Sequence, residues 1–143
     1  EEVCEDEERA KTIKWASLKR KGRAIEKLVR SYQGDVSKLV DVCRQSVVFR
    51  RCADMQGCLT AILEDPDVSV CRIKNRMHDS YDARQTGGYR DLCLNLRMET
   101  RETRRLCIDQ HVFEIQLVLM PFAQLKSDDG HARYVVFRNS RGE

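Results

Sequence analysis

Arg72, Lys74 and Arg76 occupy alternate positions of one run, and Glu114 and Gln116 alternate in the same way within Phe113-Glu114-Ile115-Gln116-Leu117. Read as strands, alternate side chains share a face, so cations line one strand and a carboxylate–amide pair lines another. Such groups are costly on a buried face unless they meet a partner. A polyphosphate carrying a bound metal ion would be a partner for both sets. The combination points to nucleotide chemistry.

Phosphoryl transfer asks a protein for metal-binding carboxylates, cations on the phosphates and a platform for the base. Two carboxylates suffice for Mg²⁺, which keeps several waters and takes its other oxygens from phosphates. Asp41, in Leu39-Val40-Asp41-Val42-Cys43-Arg44, stands just before the first expected strand and is the natural companion of Glu114. Arg44, Arg72, Lys74 and Arg76 supply cations, and Tyr89, after Gly87 and Gly88, supplies a ring that can stack on a base. Plainer readings stand beside these. Asp41 can cap a helix or pair with Arg44, Glu114 can pair with Arg97, the alternating cations can form a solvated sheet face, and Tyr89 can be a packed loop aromatic. His78-Asp79 lacks the further ligands of a metal phosphohydrolase, and Cys107 with His111 lacks a third group to orient a nucleophile.

The elements that must position these residues follow from periodicity. Residues 5–32 read as a charged helix, open to interruption at Gly22, with Ile25, Leu28, Val29 and Tyr32 on one face. Asp35 or Ser37 can cap a short helix carrying Leu39 and Val40. Residues 46–50 read as a strand, 53–63 as a helix closed by Asp65-Pro66-Asp67, and 68–76 as a strand. Residues 77–88 form a polar loop. Leu92, Leu94, Leu96 and Met98 alternate with Cys93, Asn95 and Arg97 in the clearest half-buried strand. After the charged connector 99–105, residues 111–119 form a strand antiparallel to it. Pro121 opens a helix that runs to about Lys126, and 131–138 is ambiguous between strand and helix. The pattern is α/β (α+β): a mixed sheet of three to five strands flanked by helices. Its strand–helix–strand crossover is right-handed if those strands are parallel. Residues 1–33 are assigned to a charged N-terminal helical segment and 34–143 to the domain proper.

With 143 residues, 41% hydrophobic and 34% charged, the chain suits one domain with a real core. Its net charge of +3 neither demands nor excludes nucleic acid. No run approaches the roughly 20 apolar residues of a membrane span, and the acidic start is unlike a secretory leader. The absence of an initiating Met suggests a segment of a longer protein or a processed chain. The seven cysteines lack zinc-hairpin spacing and mostly sit in apolar runs, so they read as reduced core thiols. Reduced thiols suggest an intracellular, cytoplasmic setting.

Taken together, the segments resemble the synthetase domain of the RelA/SpoT family, which transfers pyrophosphate from ATP to the 3′-hydroxyl of GDP or GTP. Asp41 to Phe49 resembles that family's Asp-led, Arg-containing segment before its first strand. Arg72-Ile73-Lys74-Asn75 resembles its Arg-x-Lys-Asp strand, Gly88-Tyr89-Arg90-Asp91-Leu92 its Gly-Tyr-x-Ser-Leu-His loop, and Glu114-Ile115-Gln116 its Glu-Ile-Gln strand. A basic helix upstream is similar to Lys19 to Lys27, so the ordered matches run from Lys19 to Tyr134. The chain departs from the pattern at Asp91, where the family prefers Ser, and at Cys93, where it has His. Residues 83–87 replace its Pro-Lys-Pro-Asn approach, and no Arg-Thr pair follows Gln116. Gly130-His131 and Tyr134 are similar to a Gly-His-x-x-Tyr variant of divergent members, of unassigned role.

The resemblance implies a nucleotidyltransferase-like mixed sheet, Mg²⁺ held by Asp41 and Glu114, and Glu114 as general base. It implies phosphate contacts from Arg72 and Lys74, guanine stacking on Tyr89, and looser ATP contacts from Lys19, Arg23 and Lys27. With the face-sharing Arg44, Arg76 and Gln116 these make up the expected nucleotide site, with ATP and a guanine nucleotide as partners. A second reading is a catalytically inactive domain of the same fold, used as a nucleotide sensor or protein-interaction module in a larger assembly. The altered acceptor motif and the charged helix with Trp15 support it. RNA binding through Arg97, Arg101, Arg104 and Arg105 rests on that basic run alone.

Overall fold

The computed structural model describes residues 16–125. Helix α1 (Lys21–Tyr32) and a 3₁₀ turn (Val36–Lys38) lead into strand β1 (Arg44–Phe49). Helix α2 (Cys52–Glu64), strand β2 (Val68–Asn75), a second 3₁₀ turn (Ala83–Thr86) and strand β3 (Leu92–Met98) follow. A short helix α3 (Arg101–Arg105), strand β4 (Phe113–Leu119) and helix α4 (Met120–Gln124), with Pro121 in its first turn, complete the described chain.

The four strands form one mixed sheet in the order β1-β4-β3-β2. β1 runs parallel to β4, whereas β3 is antiparallel to both β4 and β2. β1 and β2 are therefore parallel in direction but lie at opposite edges, so the crossover through α2 spans the whole sheet. The ladder of β3 and β4 is the antiparallel pair expected from the sequence.

One face of the sheet is apolar. Leu92, Leu94, Leu96 and Leu117 form its buried centre, and α2 lays Met55, Cys58, Leu59 and Ile62 against them. Each fully buried Leu contributes about 1.5–3 kcal/mol. The helix stops where Asp65 precedes Pro66, a position that disfavours helical backbone, and Asp65 is indeed extended (φ −70°, ψ 118°).

The N-terminal side departs from expectation. Residues 16–20 are not helical, and Gly22 lies within the first turn of α1 rather than interrupting a longer helix. The reason is competition for backbone donors. Ala16 N–H donates to Gln45 Oε1 (2.9 Å) and Lys19 N–H to the Val42 carbonyl (3.0 Å), which draws this stretch alongside the approach to β1. The cap at Asp35 holds, but it starts a 3₁₀ turn that ends before Leu39 and Val40. The connector before β4 contains α3, capped by Thr100. Trp15, the first half of the expected N-terminal helix, Lys126 and residues 131–138 with Gly130, His131 and Tyr134 lie outside the described residues.

The six described cysteines are free thiols, but only Cys93 is buried. Cys71 is on the edge strand β2, Cys43 just before β1, Cys52 at the start of α2 and Cys107 in the turn after α3, where an apolar run in sequence does not become an apolar interior. Thiol titration of the denatured, unreduced protein is expected to report at least six free groups. Fewer than six would reveal a disulfide. Among the described residues no helix is long and apolar enough to cross a membrane.

Candidate functional site

The face of the sheet opposite α2 is polar, and its order follows from the ladder. Residues paired across a sheet point to the same side. The register aligns Arg44, Glu114, Asn95 and Arg72 in one row across all four strands, and Ser46, Gln116, Cys93 and Lys74 in the next. The structure thus brings Arg44, Arg72, Lys74, Glu114 and Gln116 together on one face, as their alternation in sequence requires.

Within this face Glu114 is held by its neighbours. Gln116 Nε2 donates to Glu114 Oε1 (2.7 Å), while Ser46 Oγ donates to Gln116 Oε1 (3.2 Å). Burial, together with the Glu114 carboxylate, pushes the pKa of the Cys93 thiol up to about 12. Arg97 does not pair with Glu114. It donates to Gln110 (2.6 Å) and Glu99 (3.0 Å) instead.

Asp41 lies on the lead-in to β1 and is only 6% exposed. It neither caps a helix nor pairs with Arg44. Its Oδ2 accepts from Lys19 Nζ and from Lys27 Nζ (2.9 Å), one lysine from the extended stretch and one from α1. Burial pushes the Asp41 carboxyl up, but the two lysine hydrogen bonds outweigh it and hold its pKa below the ordinary value. The lysines respond in opposite directions. Burial, with the charges of Lys27 and Arg44, outweighs Asp41 and lowers Lys19, whereas Lys27 is raised because Asp41 and Tyr32 outweigh its burial. Arg23, the third expected contact of this group, is exposed and paired with Glu26 (2.6 Å).

Most cations elsewhere in the described residues are matched by acids. Arg30 pairs with Glu26, Arg51 with Asp54, and Arg84 with Asp82. In the basic run, Arg97 and Arg104 pair with Glu99 and Arg105 with Glu102, which leaves Arg101. Arg44, Arg72 and Lys74 are exposed and stand in no ion pair among the described residues. Three cations on one face beside a carboxylate, unpaired among the described residues, suit a ligand with dense negative charge.

Two expected residues are placed differently. Arg76 shares the face of Arg72 and Lys74, but it is bound to the fully buried Asp91 rather than left for a phosphate. A fully buried carboxylate needs a counter-charge, and Arg76 is the cation in reach. Tyr89 is half-buried, with its hydroxyl donating to Asp91 Oδ2 (3.0 Å). Burial and the Asp91 charge push its phenol above the ordinary tyrosine range. Asp91 therefore ties together two residues that the sequence reading assigned to ligand. Asp91 stands one residue before β3 in phase with Cys93 and Asn95, and that alternation was the available signal for its place on this face.

A magnesium ion fits the donor set. Asp41 Oδ1 is buried and has no hydrogen-bond partner among the described residues, and carboxylate oxygens are the hard donors that Mg²⁺ takes. Among the described residues there is no group of three or more His, Cys, Asp or Glu side chains able to hold a metal. A site built here would rely on water and ligand oxygens for the rest of its shell.

No family model matches the sequence, and no curated protein matches it. Solved structures do. The small alarmone synthetase 1 of Bacillus subtilis, in a crystal structure bound to its product pppGpp, is 17% identical with a TM-score of 0.64. That match covers 88% of this chain and 66% of the synthetase. The small alarmone synthetase 2 of Bacillus subtilis is also 17% identical (TM-score 0.64), covering 86% of this chain and 62% of that one. A GTP pyrophosphokinase family protein of Streptococcus pneumoniae is 14% identical (TM-score 0.57), covering 82% and 56%. The chain thus spans about two thirds or less of the proteins it matches. At such identities the likeness is one of fold, and it agrees with the topology and with the order of the sequence motifs: the chain has the RelA/SpoT-like alarmone-synthetase fold.

Proposed function

We propose that this chain binds nucleotides with Mg²⁺ and transfers pyrophosphate from ATP to the 3′-hydroxyl of a guanine nucleotide. The observation that carries the reading is the sheet face on which Arg44, Arg72 and Lys74 stand around Glu114 without counter-charges among the described residues. In this reading Asp41 and Glu114 hold the metal, which when bound neutralises charge on the phosphates. Arg44, Arg72 and Lys74 stabilise the phosphate oxygens, and Lys19 and Lys27 approach the donor from the α1 side. Glu114, oriented by Gln116, accepts the proton of the attacking hydroxyl. Tyr89 offers its ring to the acceptor base. Such catalysis is positioning and charge stabilisation, with little covalent chemistry for the protein to do.

A second reading is favoured by Asp91. It takes up Arg76 and the Tyr89 hydroxyl on the acceptor side, as a domain that senses nucleotide without turning it over could afford. Incubation with labelled ATP, GDP or GTP and Mg²⁺ is expected to yield a 3′-pyrophosphorylated guanine nucleotide. Mg²⁺-dependent nucleotide binding without product would establish the sensor. Well-folded protein showing neither would sink both readings and leave a protein-interaction module.

A further inference from the structure

The loop between β2 and β3 is closed on itself by one side chain. Arg90 Nη1 donates to the carbonyls of Arg76 and His78 (3.0 Å each), and Nη2 donates to the carbonyl of Tyr81 (3.1 Å). Its guanidinium also lies 5.9 Å from the centroid of the Tyr81 ring. The contact continues beyond Tyr81. The Tyr81 hydroxyl meets Thr86 Oγ1 (3.4 Å), and Thr86 Oγ1 donates to the Tyr89 carbonyl (2.6 Å). The loop's ends are joined where Arg76 N–H donates to the Asp91 carbonyl (2.9 Å). Its turn uses Gly87 and Gly88 at φ 60° and 88°, a region that glycine enters without strain.

A guanidinium that donates to three main-chain carbonyls has left bulk water to do so, and its planar fork matches several acceptors at once. No carboxylate competes for it among the described residues. We infer that Arg90 is a positioning residue: it fixes the β2–β3 loop before ligand arrives and so sets the Tyr89 ring as a preformed platform for the acceptor base. The inference rests on the proposed nucleotide site, but the anchoring can be measured without it. A preformed loop lowers the ordering cost of binding, so its loss falls on affinity rather than on turnover once ligand is bound.

Arg90→Lys keeps the charge and most of the stem but replaces the fork with a point donor, and Arg90→Ala removes both. Hydrogen exchange over residues 77–89 is expected to speed up by about tenfold or more in either variant, with β3 and β4 unchanged. The KM for GDP or GTP is expected to rise by about tenfold, while kcat at saturation stays within about threefold. If Arg90→Ala does not fold, Arg90→Lys decides. Unchanged loop exchange in Arg90→Lys would overturn the anchor. Faster exchange with an unchanged KM would overturn the link to the acceptor platform. Faster exchange in a chain whose parent form binds no guanine nucleotide would refute the proposed function and the platform, while the anchor stands.

Discussion

Replacing Asp41 by Asn and Glu114 by Gln together is expected to lower pyrophosphoryl transfer by at least about a thousandfold while leaving metal-free nucleotide binding intact or stronger. Glu114 shares a row with Arg44 and Arg72, which stand in no ion pair among the described residues, and Asp41 holds Lys19 and Lys27. Removing the two carboxylate charges takes away the metal's ligands, but it also takes away repulsion toward a polyphosphate. The two substitutions differ in structural cost. Asp41 is the shared partner of Lys19 and Lys27, so its amide leaves two partly buried ammoniums with a weaker acceptor. Glu114 is in no ion pair among the described residues, and Gln at that position can still accept from Gln116. Glu114→Gln alone is therefore the variant that keeps the fold, and thermal melting of both proteins checks it. Full activity in Glu114→Gln would remove this residue from the reaction. Nucleotide binding that weakens in the absence of metal would mean that the carboxylates organise the cations rather than oppose the ligand.

What the sequence revealed depended on how local the cause was. The alternation from Leu92 to Met98 was readable because a strand with an apolar side and a polar side writes its period directly into the chain, although this central strand is buried on both sides from Leu92 to Leu96 and Met98 is exposed. The same holds for Glu114 and Gln116, and the ladder then carried their phase across all four strands. Strand order was not readable, since β1 reaches β4 across more than half the described chain and no local pattern specifies that pairing. Nor was the break at residues 16–20, where Gln45 and the Val42 carbonyl take donors that a helix would have used. The fate of Arg76 was hidden for a related reason. Its alternation with Arg72 and Lys74 gave the right face, but the burial of Asp91, fifteen positions later, decides which cation is spent on structure. Arg90 was missed because its acceptors are main-chain carbonyls, which leave no mark on residue type.

Asp91→Ala is expected to destabilise the fold by about 3–5 kcal/mol, the usual cost of leaving one member of a buried ion pair uncompensated. Asp91 is completely buried, and Arg76 retains only 19% exposure of its side chain with Nε already lacking a partner. Domains of this size are stable by about 5–15 kcal/mol, so the loss takes roughly a fifth or more of the total and lowers Tm by roughly 10 °C or more. The charge is the cause, not the lost volume. Adding Arg76→Met to Asp91→Ala should therefore recover a large part of the loss, because the unpaired guanidinium goes with it. Denaturant melts of the parent, both single variants and the double variant close the cycle. An Asp91→Ala protein within about 1 kcal/mol of the parent would show that water compensates Arg76 and that the pair is not structural. The same variant also releases the Tyr89 hydroxyl from its acceptor, so in a protein that remains folded at low temperature guanine-nucleotide affinity should fall. Glu114, Arg44, Arg72 and Lys74 lie on rows that Asp91 does not join, and metal-dependent binding of ATP alone should be retained. A loss confined to the acceptor nucleotide would place Asp91 as the support of the acceptor side, and an equal loss for both nucleotides would instead mean that the pair with Arg76 supports the whole sheet face.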